Sequence, residues 1–197
     1  MAIDPTPPAT EEFPMAKAAT PQSKSLHHVA YATRDPEATY QFYTHKLGLP
    51  LARTENHIQG DGYFRHFFFD MGNGDFLAFF QVEDVGEEAD YRTEISVAAG
   101  LPIWVNHIAF RLDTEEELEQ MIQRLHERGI EHIQQLDHGW CKSIYLVDPN
   151  GIMVEFCVTT DAEAFVQSEE EALEFLRQPR EEIGVESAKE LSSATRV

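Results

Sequence analysis

Cysteine is nearly absent from this 197-residue chain, which has only Cys141 and Cys157. A disulfide-stapled scaffold is thereby excluded. One disulfide between the two remains open, and two free thiols in a reducing compartment is the simpler expectation. Basic residues are scarce as well, with 15 Lys and Arg against 35 Asp and Glu, a formal net charge of −20. Such a balance argues against nucleic acid or an anionic membrane surface as partner. No run of about 18 apolar residues occurs, so no spanning helix is expected. The N-terminal stretch has no apolar signal core, so the expected location is cytoplasmic. Phenylalanine, in contrast, is frequent at 13 residues. Phe64, Phe67, Phe68, Phe69, Phe76, Phe79 and Phe80 fall close together. Most of these rings are expected in a packed core, with a few lining an apolar pocket.

The richest stretch runs from His138 to Glu155. Asp148-Pro149-Asn150-Gly151 is a strong turn signal. The branched and aromatic residues on either side, Ser143 to Val147 and Ile152 to Val158, read as two strands of a hairpin. Glu155 stands between Val154 and Phe156 in an otherwise apolar strand. A carboxylate there is costly unless something pairs with it, and a metal ion is one such partner.

A second pattern is an internal repeat. Leu26-His27-His28-Val29-Ala30-Tyr31 matches Val105-Asn106-His107-Ile108-Ala109-Phe110 position for position, 79 residues apart. Each segment precedes a helical stretch and then three strand-like segments. Two copies are too few for a solenoid and predict a pseudo-symmetric pair of modules. In the first, a strand at about 26–33 leads to a helix that opens at Asp35-Pro36-Glu37 and ends at Gly48. Strands come next at about 50–57, 63–71 and 75–83. The second helix opens at Asp113-Thr114-Glu115 and ends at Arg128-Gly129, with Leu118, Met121, Ile122 and Leu125 as its apolar stripe. Strands at about 130–136, 141–147 and 152–159 complete that module. The fold class is therefore α+β, with modules at 25–83 and 104–160 joined by an acidic linker at 84–103. Residues 1–24, with five prolines and no periodicity, read as a mobile arm. Residues 161–197 read as an acidic, partly helical tail, disordered from about 180. Its apolar residues Phe165, Leu173, Phe175 and Leu176 either dock on the sheet or a second subunit or stay in a partly ordered tail.

His28, His107 and Glu155 form a candidate metal set of two imidazoles and a carboxylate. Such a set on one face of an octahedral ion is the arrangement of non-haem Fe(II) oxygenases, and it leaves positions for a chelating substrate and O2. Mn(II) and Zn(II) fit the same donor types. A single strand histidine is usually structural, but two at equivalent points of a repeat reverse those odds. His27 points to the opposite face of its strand and aligns with Asn106, so it is not assigned to the metal.

This pattern resembles the vicinal oxygen chelate (glyoxalase/bleomycin resistance/dioxygenase) superfamily over about residues 25–160. Its members include glyoxalase I, methylmalonyl-CoA epimerase, fosfomycin resistance proteins and type I extradiol dioxygenases. The resemblance implies paired βαβββ modules that form a cup-shaped mixed β-sheet around one metal site. Glyoxalases and epimerases use a fourth protein ligand where Ala78 mirrors Glu155, and alanine cannot bind metal. Gln81 reaches that position only through a bulge. The order His138, Ile144-Tyr145, Asp148-Pro149-Asn150-Gly151, Glu155 is similar to the extradiol dioxygenase signature, with Leu136 as a departure from it. By that resemblance His138 is an acid–base or hydrogen-bonding histidine and Tyr145 bonds a metal-bound hydroxyl. A further active-site histidine is implied in the first module, where His57 and His66 are both candidates. With one module pair, the chain resembles a one-domain form.

The resemblance thus implies an Fe(II)-dependent extradiol dioxygenase that cleaves a catechol-like ring with O2. Its partners are a small aromatic diol and a second copy of itself in a homo-oligomer. The competing expectations are a glyoxalase- or epimerase-type lyase or isomerase, and a resistance-type protein that binds a small molecule without turnover.

Overall fold

The computed structural model describes residues 25–86 and 90–183. The expected arm at 1–24 and the tail beyond 183 lie outside the described residues. Strand β1 (His28–Ala32) leads into α1 (Pro36–Tyr40), which Asp35 caps by accepting the Ala38 N–H at 2.9 Å. The expected single α-helix does not continue to Gly48. From Gln41 to Leu47 the chain winds as a π-helix, and this places Phe42, Tyr43 and Leu47 in the core. Strands β2 (Leu51–Gln59), β3 (Gly62–Gly72) and β4 (Asp75–Glu83) complete the first module. A short helix, α2 (Ile95–Ala98), interrupts the linker, where none was expected.

The second module repeats the plan with β5 (His107–Leu112), α3 (Glu115–Glu127), β6 (Gln134–Asp137), β7 (Cys141–Val147) and β8 (Met153–Thr159). Thr114 caps α3, and the helix buries Leu118 and Leu125 of the expected stripe. Each such side chain contributes about 1.5–3 kcal/mol when removed from water. Each module is one four-stranded mixed sheet, ordered β1-β4-β3-β2 and β5-β8-β7-β6. In both, the first strand runs parallel to the last, and the other pairings are antiparallel.

The period-two alternation of the strands divides each sheet into a packed face and an open face. On the first sheet Phe67, Phe69, Leu77 and Phe79 are buried against Phe42, Tyr43 and Leu47. Phe64, Phe68, Phe76 and Phe80 lie on the other face, half-buried. Three of the seven clustered rings are therefore core and four are not, against the expectation that most would be.

One carboxylate ties the modules together. Asp148 opens the turn between β7 and β8 and is buried. It accepts the Tyr43 hydroxyl at 3.0 Å, the Asn150 side-chain amide at 2.9 Å, and the Asn150 and Ile152 backbone N–H groups at 2.8 Å each. Asn150 in turn donates to Thr39 Oγ1 at 3.2 Å. Burial raises the Asp148 pKa, and these donors offset part of that rise. Gly151, at φ 74°, leaves no room for a side chain, because a Cβ there would stand 2.4 Å from Glu94 Cγ in the linker.

Two short helices, α4 (Ala162–Phe165) and α5 (Glu169–Arg177), come after β8, where one amphipathic segment was expected. No residue of α5 is buried, and Phe175 and Leu176 are exposed. Among the described residues no helix is long and apolar enough to cross a membrane. Tyr43→Phe removes one donor from a buried carboxylate that joins the modules. It is expected to cost about 1.5–3 kcal/mol in urea unfolding, and an unchanged midpoint contradicts this role for the contact.

Candidate metal centre

The open face of the second sheet carries the chemistry. In register, Ala109 and Tyr145 both pair with Glu155, and His107 pairs with Met153, so these side chains share one face. Glu155 is buried there and fully engaged. Its Oε1 accepts Ser143 Oγ at 2.5 Å and the Tyr145 hydroxyl at 3.1 Å. Its Oε2 stands 3.0 Å from His107 Nε2. His107 Nδ1 is 2.9 Å from the Trp104 carbonyl, to which it donates. That bond fixes the ring, in the manner of ligating histidines held through their second nitrogen.

The Tyr145 hydroxyl has one proton, which goes to the carboxylate, so it accepts from His138 Nε2–H at 3.0 Å. His138, Tyr145 and Glu155 thus form a directed chain. Burial, with the Glu155 charge adding to it, pushes the Tyr145 pKa well above the usual phenol range, so the hydroxyl remains a donor. Cys141 and Cys157 are free thiols, and burial pushes the Cys141 pKa up to about 12. Its thiol is therefore a poor nucleophile.

On the first sheet, Ala30 pairs with Ala78 as Ala109 pairs with Glu155. The structure thereby places Ala78 at the position that mirrors Glu155. Gln81 is on the opposite face and accepts from Arg65 at 3.2 Å. His28 is exposed on the open face, and its Nδ1 lies 2.8 Å from His27 Nδ1. His66 shares that face, with its ring 6.0 Å from that of His28 and stacked on Phe80 at 3.7 Å. Its Nε2 is buried without a hydrogen-bond partner. Burial, and secondarily His28, lower its pKa. His57, by comparison, sits on β2 stacked on Phe64, with Nε2 3.3 Å from Glu55. Of the two candidates in the first module, the structure brings His66 to His28.

The five residues singled out from sequence therefore fall into two groups. His107, Glu155, Tyr145 and His138 adjoin on the second sheet, and His28 stands on the first. Among the described residues no group of three or more His, Cys, Asp or Glu side chains could hold a metal ion. The His107–Glu155 pair nonetheless fits one. Two ligand atoms each about 2.1 Å from an ion and at right angles to one another are about 3.0 Å apart. Sequence reasoning missed Ser143, whose only signal was its place two residues before Tyr145 on the same strand face.

Two mixed four-stranded sheets with a ligand-type histidine on each first strand define a paired-module protein of the glyoxalase/bleomycin resistance fold. The chain matches the Glyoxalase/Bleomycin resistance protein/Dioxygenase superfamily over residues 25–156 and belongs to it. That superfamily includes both enzymes and small-molecule-binding proteins. The uncharacterized protein YwkD of Bacillus subtilis (strain 168) is 34% identical over 110 residues, 55% of this chain and 74% of that one. The crystal structure of SMU.1112c superposes with a TM-score of 0.50 at 23% identity, over 68% of this chain and 98% of that one. A glyoxalase/bleomycin resistance protein/dioxygenase from Alicyclobacillus acidocaldarius superposes with a TM-score of 0.49 at 19% identity, over 73% and 97%.

His107→Ala is expected to abolish stoichiometric metal binding, whereas Tyr145→Phe retains it, as measured by elemental analysis after anaerobic loading. A His107→Ala protein that keeps one metal per chain contradicts the assignment.

Proposed function

We propose that this protein is a ring-cleaving dioxygenase of the extradiol type, acting on a catechol-like diol with iron(II) held by His28, His107 and Glu155. The observation that carries the reading is the chain from His138 through Tyr145 to Glu155, beside His107. Alanine at position 78 supports it, since the mirrored position then supplies no fourth ligand.

Bound iron(II) would supply a site at which a diol and O2 meet. The rest falls to the protein's own groups. His138 donates through Nε2 to Tyr145, and a proton can pass along that bond toward the carboxylate. Tyr145 donates to an oxygen at the carboxylate. Phe64, Phe68, Phe76 and Phe80 offer an apolar wall for an aromatic ring on the face that carries His28 and His66.

The third ligand would come from a second copy. β1 and β5 are edge strands, and the faces that carry His28 and His107 are open. The apolar residues two positions before each histidine, Leu26 and Val105, are exposed, as is Trp104 at 55%. An assembly that lays the first sheet of one chain over the second sheet of another covers these side chains and unites His28 of the partner subunit with His107 and Glu155.

Reduced, iron-loaded protein is expected to consume O2 and convert catechols or 2,3-dihydroxybiphenyl to yellow ring-opened products. His138→Ala should lower turnover by about 10²- to 10⁴-fold with iron still bound. Absence of O2 uptake, together with isomerisation of a thiohemiacetal or acyl-CoA thioester, transfers the assignment to the lyase or isomerase class. The shared site has its own test. Neither His28→Ala nor Glu155→Ala alone should bind metal, and co-expression of the two should restore binding in mixed dimers. No restoration, or a monomer by light scattering, contradicts the shared site.

A further inference from the structure

We propose that Trp140 and Phe165 are positioning residues for His138, so that the first turn of the acidic tail is part of the functional unit. The inference rests on the dioxygenase reading for its consequence but on geometry for its substance. His138 sits in the turn between β6 and β7, where the next residue, Gly139, adopts φ 86°. The turn is held by two bonds, His138 N–H to the Cys141 carbonyl at 2.9 Å and Gly139 N–H to Asp137 Oδ1 at 2.8 Å. Both fix backbone only. Neither restrains rotation of the imidazole about its own bond to Cβ, and a tilt of the ring out of its present plane would carry Nε2 away from the Tyr145 hydroxyl.

Trp140 supplies the restraint. Its ring stacks on His138 with centroids 5.9 Å apart and planes at 29°. Phe165 stacks on Trp140 at 4.7 Å and 32°. The Trp140 carbonyl accepts the Thr160 and Asp161 N–H groups at 2.9 and 3.0 Å, which anchors the start of the tail to the same turn. Asp161 then accepts the Glu163 and Ala164 N–H groups through Oδ1 at 3.1 and 3.0 Å, and the resulting turn delivers Phe165. Phe165, Trp140 and His138 therefore form a continuous series of ring contacts, and Tyr145 meets His138 edge-on at 6.5 Å. The superfamily match ends at residue 156, so Phe165 lies beyond the part of the chain that defines the family. Phe165 is 56% exposed, and holding Trp140 is the one aromatic contact it makes among the described residues.

The test reads the His138 tautomer by ¹⁵N–¹H correlation spectra of metal-free protein. Wild-type His138 is expected in the Nε2–H form. Trp140→Ala should give mixed Nδ1–H and Nε2–H signals, Phe165→Ala a smaller change of the same kind, and Trp140→Phe the wild-type pattern. The signals of His107 serve as the internal control for an intact sheet. If Trp140→Ala fails to fold, Phe165→Ala carries the test, because its side chain lies outside the core. An Nε2–H pattern unchanged in both alanine variants overturns the proposal. The tautomer is read without substrate, so its outcome is independent of the ring-cleavage reading. In the ring-cleavage assay the Trp140→Ala protein should turn over about 10-fold more slowly with unchanged iron content.

Discussion

The buried carboxylate of Asp148 is the contact on which the rest of the molecule depends. It belongs to the last turn of the second module, yet one of its donors is Tyr43 from the helical segment of the first. A charge in the interior is tolerable only when its lone pairs are filled, and here four donors fill them. The same bonds set the turn that aims β8, and β8 carries Glu155. The module junction and the aim of the strand that carries Glu155 are thus set by a single hydrogen-bond network.

The two modules share a backbone plan and differ in what they place on it. Where one sheet holds Glu155, Tyr145 and Ser143, the other holds Ala78, Phe68 and His66 at the corresponding register positions. One face carries a buried carboxylate with its hydrogen-bond donors, and the other a row of aromatic rings. On the proposed reading the second sheet supplies two of the ligands, and the first supplies one imidazole and an apolar wall.

Much of this was legible in the sequence because it depends on local pattern. Runs rich in branched and aromatic residues, bounded by turn signals, pointed to eight strands, the Leu26–Tyr31 and Val105–Phe110 match to the module pairing, and Glu155 between Val154 and Phe156 to the candidate site. The alignment that put Ala78 opposite Glu155 is the register the strands adopt. What was not legible depends on contacts between distant segments. Nothing near His66 distinguishes it from His57, since the choice is made by the stacking of Phe80 and the approach of His28 across the sheet. The π-helical winding of Gln41–Leu47 has apolar spacing close enough to an α-helix to conceal it. Alternating rings along β3 read as core because a second face occupied by aromatic side chains has the same composition as a buried one.

The π-helical turn also constrains how this chain can change length. A π turn accommodates one residue more than the α-helical path over the same rise. Deleting a residue between Gln41 and Leu47 would therefore let the segment relax to the commoner winding with the chain on either side still in register. What changes is inside the turn, where the wider winding sets which side chains face inward. Phe42, Tyr43 and Leu47 are the ones it buries, and Tyr43 reaches Asp148, 105 residues further along the chain. The irregular winding and the module junction are thus linked through a single hydroxyl.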